Sequence, residues 1–192
     1  MDLHRLGVKF FAGGGATIAL PEFLPVFHRW IQEHVLDELL LDVADYSHVH
    51  AGPGVLLIAH EGNYSMDEYG NRRGLAYYAK HPQPGDLAER LLKICMKTLN
   101  ACRLLEQEPA LAGKIKFNCG ELQIFANDRL LAPNTDATTA ALRPAIDALL
   151  GKLYPGAKCE LAREKDPKER LSVIVKVSKD ASVVELLERV GR

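Results

Sequence analysis

Residues 39–80 read LLLDVADYSHVHAGPGVLLIAHEGNYSMDEYGNRRGLAYYAK, and the way this stretch pairs with itself decides the fold. Gly52-Pro53-Gly54-Val55 suits a type II turn, with proline presetting φ and the following glycine supplying φ > 0. Such a turn sets Gly52 opposite Val55, His50 opposite Leu57, His48 opposite Ala59 and Tyr46 opposite Glu61. Side chains alternate across a strand, so one face carries Leu39, Leu41, Val43, Val49, Leu56, Ile58 and Tyr64, the expected core face. The other carries Asp42, Tyr46, His48, His50, Leu57, Glu61 and Asn63. A second turn at Gly70-Asn71 pairs Tyr69 with Arg72, Tyr64 with Tyr77 and Glu61 with Lys80, which adds Tyr78 and Lys80 to the mixed face. The expectation is a three-stranded antiparallel meander. A one-residue slip in its first hairpin would move His60 onto the face of His48 and His50.

That polar face is the leading candidate site: Asp42, Tyr46, His48, His50 and Glu61, with His60 if the register slips. Histidines at i and i+2 on a strand point the same way and can chelate a divalent metal, with a neighbouring carboxylate as third ligand. The same groups suit acid–base work, because imidazole titrates near neutrality and Glu61 could orient it. The plainer alternative is a solvated or partner-facing sheet face on which Glu61 pairs with Lys80.

Outward from this stretch, Val8 to Ala12 reads as a strand and Pro21 to Val35 as a helix with Phe23, Phe27, Trp30, Ile31 and His34 on one stripe and His28 beside it. Asp86 caps a long helix to about Gln107, on which Leu91, Cys95, Thr98, Cys102 and Leu105 form the buried stripe. Ile115 to Cys119 and Leu122 to Ala126 read as two strands around a turn at Gly120-Glu121. A helix follows from Pro133-Asn134-Thr135-Asp136 to Leu153, with a kink or late start expected at Pro144. Lys158 to Glu164 and Leu171 to Ser178 make a hairpin, and Ser182 caps a last helix, Val183 to Val190. The pattern is α+β: an antiparallel sheet covered by helices in a single globular domain over residues 1–192. Both 1–81 and 113–178 read β-α-β-β, which suggests two halves related by a pseudo-two-fold, with the meander's third strand and helix 86–107 inserted between them.

Composition narrows the function classes. An apolar fraction of 47%, a charged fraction of 26% and a net charge of −1 are those of an ordinary soluble protein. Lysines and arginines are scattered, so no nucleic-acid footprint is expected, and no apolar run approaches a membrane span. The four cysteines lack CxxC spacing and suit a reducing, cytoplasmic compartment. Gly13-Gly14-Gly15 lacks the third glycine of G-x-G-x-x-G and reads as a connector rather than a phosphate loop. Asn127-Asp128-Arg129 reads as a turn. The expectation is a non-catalytic cytoplasmic module that binds a small molecule or a partner and self-associates, with Leu57, Tyr46 and Tyr78 as the contact residues. The alternatives are a metal-assisted or acid–base hydrolase or isomerase using His48, His50 and Glu61, and a structural assembly protein.

Overall fold

Alternation along Leu6–Ala12 sends Val8 and Phe10 to one side and Gly7, Lys9 and Phe11 to the other; this strand, β1, lies inside the sheet with neighbours on both edges. The computed structural model describes residues 3–13, 18–111 and 113–191. After β1 come α1 (Phe23–Glu33), β2 (Leu40–Tyr46), β3 (Gly54–Ala59), β4 (Gly62–Asp67), β5 (Gly74–Ala79) and α2 (Leu87–Glu106). The chain continues with β6 (Phe117–Ala126), α3 (Asp136–Leu153), β7 (Cys159–Arg163), β8 (Ser172–Val177) and α4 (Val183–Val190). Among the described residues the eight strands form one antiparallel sheet in the order β2-β3-β4-β5-β1-β6-β8-β7. β1 and β6 therefore lie side by side, and each half returns its last strand to pair with its first. The halves contribute five and three strands, rather than the equal β-α-β-β units expected.

The helices cover one face. α2 packs on β1 and β5, α1 packs on β2, and α3 and α4 flank α2. The α2 stripe is buried as expected, and Asp86 caps that helix by accepting from the Glu89 amide at 2.9 Å while its own amide donates to Glu89 Oε2 at 3.0 Å. α3 begins at Asp136 and continues through Pro144. His34 stands off the apolar stripe: it ends α1 in the left-handed conformation, φ 51°, and is exposed. No helix among the described residues is long and apolar enough to cross a membrane. Gly14 and Gly15 lie outside the described residues; the Gly13 amide donates to the Lys116 carbonyl.

The meander differs from its expected form because the chain turns twice where one strand was expected. Ala59 and Gly62 flank a turn at His60-Glu61, so residues 55–64 form the end of one strand and the start of the next. At the other end, β2 stops at Tyr46, and Ser47–Pro53 is a loop of successive turns (Val49 amide to Tyr46 carbonyl, Gly52 amide to Val49 carbonyl). Tyr46 pairs with Gly54, not with Glu61. Gly54 has φ +66°, and a β-carbon there would lie 2.1 Å from the Met66 carbonyl oxygen, so only glycine fits where this loop enters the sheet. On β3 the core face is consequently the opposite one, while Val43 and Tyr64 pack with the core as expected. Val55, Leu57 and Ala59 face the helices, while Leu56 and Ile58 look the other way. A bulge after Leu40 leaves Leu39 and Leu41 exposed. The Gly70-Asn71 hairpin does have its expected register, Tyr64 opposite Tyr77 and Lys80 bonded to the Glu61 carbonyl. β6 is a single strand: Gly120-Glu121 makes an irregularity against β1 instead of a turn.

Candidate functional site

The six polar candidates lie in separate places. His48 and His50 are exposed in the loop before β3, and His60 and Glu61 form the turn after it. The five steps of β3 separate these two ends by roughly 16 Å at about 3.3 Å per residue. Asp42 is exposed beside the β2 bulge, its carboxylate accepting from the Val43 amide. Tyr46 and His50 share a groove with Glu68, Glu164, Asp166 and Glu169. Among the described residues no group of three or more His, Cys, Asp or Glu side chains converges as metal ligands do. The His60 and His81 rings lie 5.8 Å apart.

Glu61 belongs to a network on the helix side. Lys97 of α2 donates to Glu61 at 2.8 Å and to Glu38 at 3.1 Å, and the Tyr64 hydroxyl donates to Glu38 at 2.5 Å. The Lys97 hydrogen bond holds the Glu61 carboxyl below its ordinary value. A lowered carboxyl contributes stability above the ordinary value of 4.5 that is lost as pH falls through the folded-state value. Glu61→Gln should therefore flatten the acid end of the stability–pH curve slightly, since the pair is part-exposed. Urea midpoints at pH 7 and pH 3 check this; parallel losses in both proteins would contradict it.

The site that does form lies on the sheet face without helices. Alternation places Ser65 and Asp67 of β4, Ala76 and Tyr78 of β5, Gly7 and Lys9 of β1, and Gln123 and Phe125 of β6 on this face. Two loops cover it. The β4–β5 and β7–β8 connections leave opposite ends of the antiparallel sheet, yet the Tyr69 hydroxyl donates to the Glu169 carboxylate, so both bend over the open face and meet. With the Ala51–Pro53 segment they enclose a cup of about 530 Å³. Its floor includes Ser65, Ala76, Tyr78 and Phe125; its walls include Pro53, Tyr69, Asn127 and Arg170.

Charge is buried beneath this floor. Lys9 is 1% exposed, and its ammonium donates to Asp67 Oδ1 at 2.5 Å and to the Arg72 carbonyl at 2.7 Å. Asp67 also accepts from the Tyr69 amide at 2.9 Å and the Ser65 hydroxyl at 3.2 Å. Burial lowers the Lys9 ammonium from its ordinary value, against the pull of Asp67. Two neighbouring cations have acidic partners: Arg72 lies 3.6 Å over the Phe11 ring and pairs with Glu121 through both terminal nitrogens, and Arg73 pairs with Glu68. Arg170 differs. Its guanidinium lies 3.9 Å over the Phe125 ring, and one terminal nitrogen donates to Asn127 Oδ1 at 2.8 Å. Its Nε is buried without a hydrogen-bond partner, and no carboxylate reaches it within ion-pair distance among the described residues. Burial pushes this guanidinium down from its ordinary value, and the Asp67 charge opposes that shift.

The floor depends on a close approach. Phe125 lies across Gly7, where a β-carbon would stand 2.3 Å from the ring, and reaches a tilted contact with Tyr78 at 6.3 Å between centroids. Sequence reading identified Tyr78 as belonging to a functional face and took Asn127 and Arg129 for a plain turn; all three line the cup. Lys9 carried a usable signal, a charge inside an apolar strand. Arg170 carried none, because a basic residue at the end of a charged loop ordinarily points into water.

Comparison with protein-family models, curated proteins and solved structures returned no match.

Proposed function

We propose that this chain is a non-catalytic module that holds a small molecule in the cup on its open sheet face. The observation that carries the reading is the cavity of about 530 Å³, within the range of small-molecule sites, whose walls are aromatic and apolar with a few fixed polar groups. Binding suits it better than catalysis. The Ser65 hydroxyl is directed mainly at the Pro53 carbonyl at 2.6 Å, and the Asp67 carboxylate, 3.2 Å away, is neutralised by Lys9 and a backbone amide, which makes it a poor base for activating Ser65 as a nucleophile. The acid–base alternative rests on His48, His50 and Glu61, which stand at opposite ends of β3.

A fluorinated fragment library screened by ¹⁹F NMR tests the reading. Hits should compete for one site and lose binding in Ala76→Phe, whose ring would fill the cup from its floor. Hits unaffected by that substitution would contradict it.

Self-association in a reducing cytoplasm completes the reading. The free, buried thiols of Cys95, Cys102 and Cys119 support the compartment. Support for association has moved: Leu57 is buried under the helices and Tyr78 lines the cup, while Leu39, Leu41, Tyr46 and Val49 are exposed along and beside the edge strand β2. An unpaired edge with apolar side chains can continue its ladder in a second copy. Light scattering should give a dimer mass, and a clean monomer would contradict the association.

A further inference from the structure

We infer that the cup takes a small monocarboxylate with a flat or apolar body, its carboxylate on the Nε–Nη2 edge of Arg170. The inference rests on the cup being the binding site. A guanidinium presents two parallel N–H donors on that edge, spaced to match the two oxygens of a carboxylate. In Arg170 that edge is unbonded: the hydrogen bond to Asn127 uses Nη1, the Phe125 ring takes one face with the Tyr69 ring 5.4 Å away, and Nε is buried without a partner, so a ligand oxygen reaches it with a small turn of the side chain toward the cup. A buried donor left unsatisfied costs about 1–3 kcal/mol. A ligand oxygen at that edge removes the cost, and no side chain of the described protein supplies one.

Charge selects the class. The ionisable groups around the cup are Lys9, Arg129 and Arg170 against Asp67 and Glu169, three cations to two carboxylates, an excess of one positive charge. Lys9 is already engaged by Asp67, and Glu169 is drawn toward the Tyr69 hydroxyl at the rim. An excess of one positive charge suits a monoanion. A phosphate dianion would exceed that single positive charge and leave the cup net negative beside Glu169. The rest of the lining fits the ligand's body: Tyr78 and Phe125 on the floor, with Pro53 and Ala76, offer ring edges and apolar surface where a planar group can lie.

The test uses benzoate and its neutral near-isostere benzamide, titrated into the full chain with affinity and contact residues read from backbone amide shifts. Benzoate should bind at least ten-fold more tightly than benzamide, with the largest shifts around Asn127 and Arg170. The preference should disappear in Arg170→Gln and shrink in Arg170→Lys, which keeps the charge and loses the fork. Equal affinity in the native chain, with shifts in the cup, would overturn the carboxylate inference and leave the cup as the binding site. A preference that survives in folded Arg170→Gln would overturn it too. Shifts confined to residues away from the cup would overturn both readings. If Arg170→Gln fails to fold, the native benzoate-to-benzamide ratio and the Lys variant decide.

Discussion

Lys9→Met is expected to lose about 3–5 kcal/mol of folding stability, the cost of breaking one side of a buried ion pair. For a chain of this length that corresponds to a fall in Tm of roughly 6–20 °C. Lys9 lies in the middle of the sheet with both faces of its strand covered, and its ammonium is the only cation that reaches Asp67 within ion-pair distance among the described residues. Without it, the Asp67 carboxylate keeps a backbone amide and a shared hydroxyl and must stay charged in a dry site or take up a proton. A buried pair of this kind need not be net stabilising. Removing both charges in Lys9→Met/Asp67→Leu should recover most of the loss, because buried ion pairs replaced by apolar groups of similar volume are often neutral or better. Denaturant unfolding of the two single variants and the double gives the coupling directly. A Lys9→Met loss below about 1 kcal/mol, the scale of an exposed pair, would show that water reaches the pair.

Gly7→Val should destabilise the fold by about 2–3 kcal/mol, the scale of overpacking in a closely packed interior. Its β-carbon would coincide with the Phe125 ring, and relief requires that ring to leave the sheet. Since Phe125 is the surface on which Arg170 lies, the variant should lose cup binding as well as stability. Gly7→Ala/Phe125→Leu tests the cause: shrinking the ring should offset part of the Gly7→Ala cost. Additive losses in unfolding experiments would place the clash elsewhere.

The sequence made the class of fold readable because its signals are local. Asp86 followed by Glu89 is a capping box, the stripe from Leu91 to Leu105 has helical spacing, and the alternation along Leu6–Ala12 identifies a strand. The Gly70-Asn71 turn was legible for the same reason, and with it the pairing of Tyr64 and Tyr77. The first part of the meander misled because Val55 to Ala59 is apolar at every position, and such a run carries no alternation to set its register; the turn signal was the His60-Glu61-Gly62-Asn63 run, which the expected register places inside a strand. Proline and glycine at 53–54 are as compatible with the end of a longer loop as with a tight turn. Once that register moved, the histidines separated and Leu57 went to the core. The cup was illegible for a further reason. It joins residues 100 apart in sequence, Tyr69 and Glu169, through loops whose bending over the sheet follows from tertiary packing alone.

The central claim is that a small molecule binds on the open face of the sheet, above the Lys9–Asp67 pair. The most direct measurement is a map of backbone amide shifts for the tightest-binding fragment. The account predicts changes concentrated at Gly52, Ser65, Ala76, Tyr78, Asn127 and Arg170. A map centred on the groove of Tyr46 and His50, or on the helix-side network of Glu38 and Lys97, would contradict it.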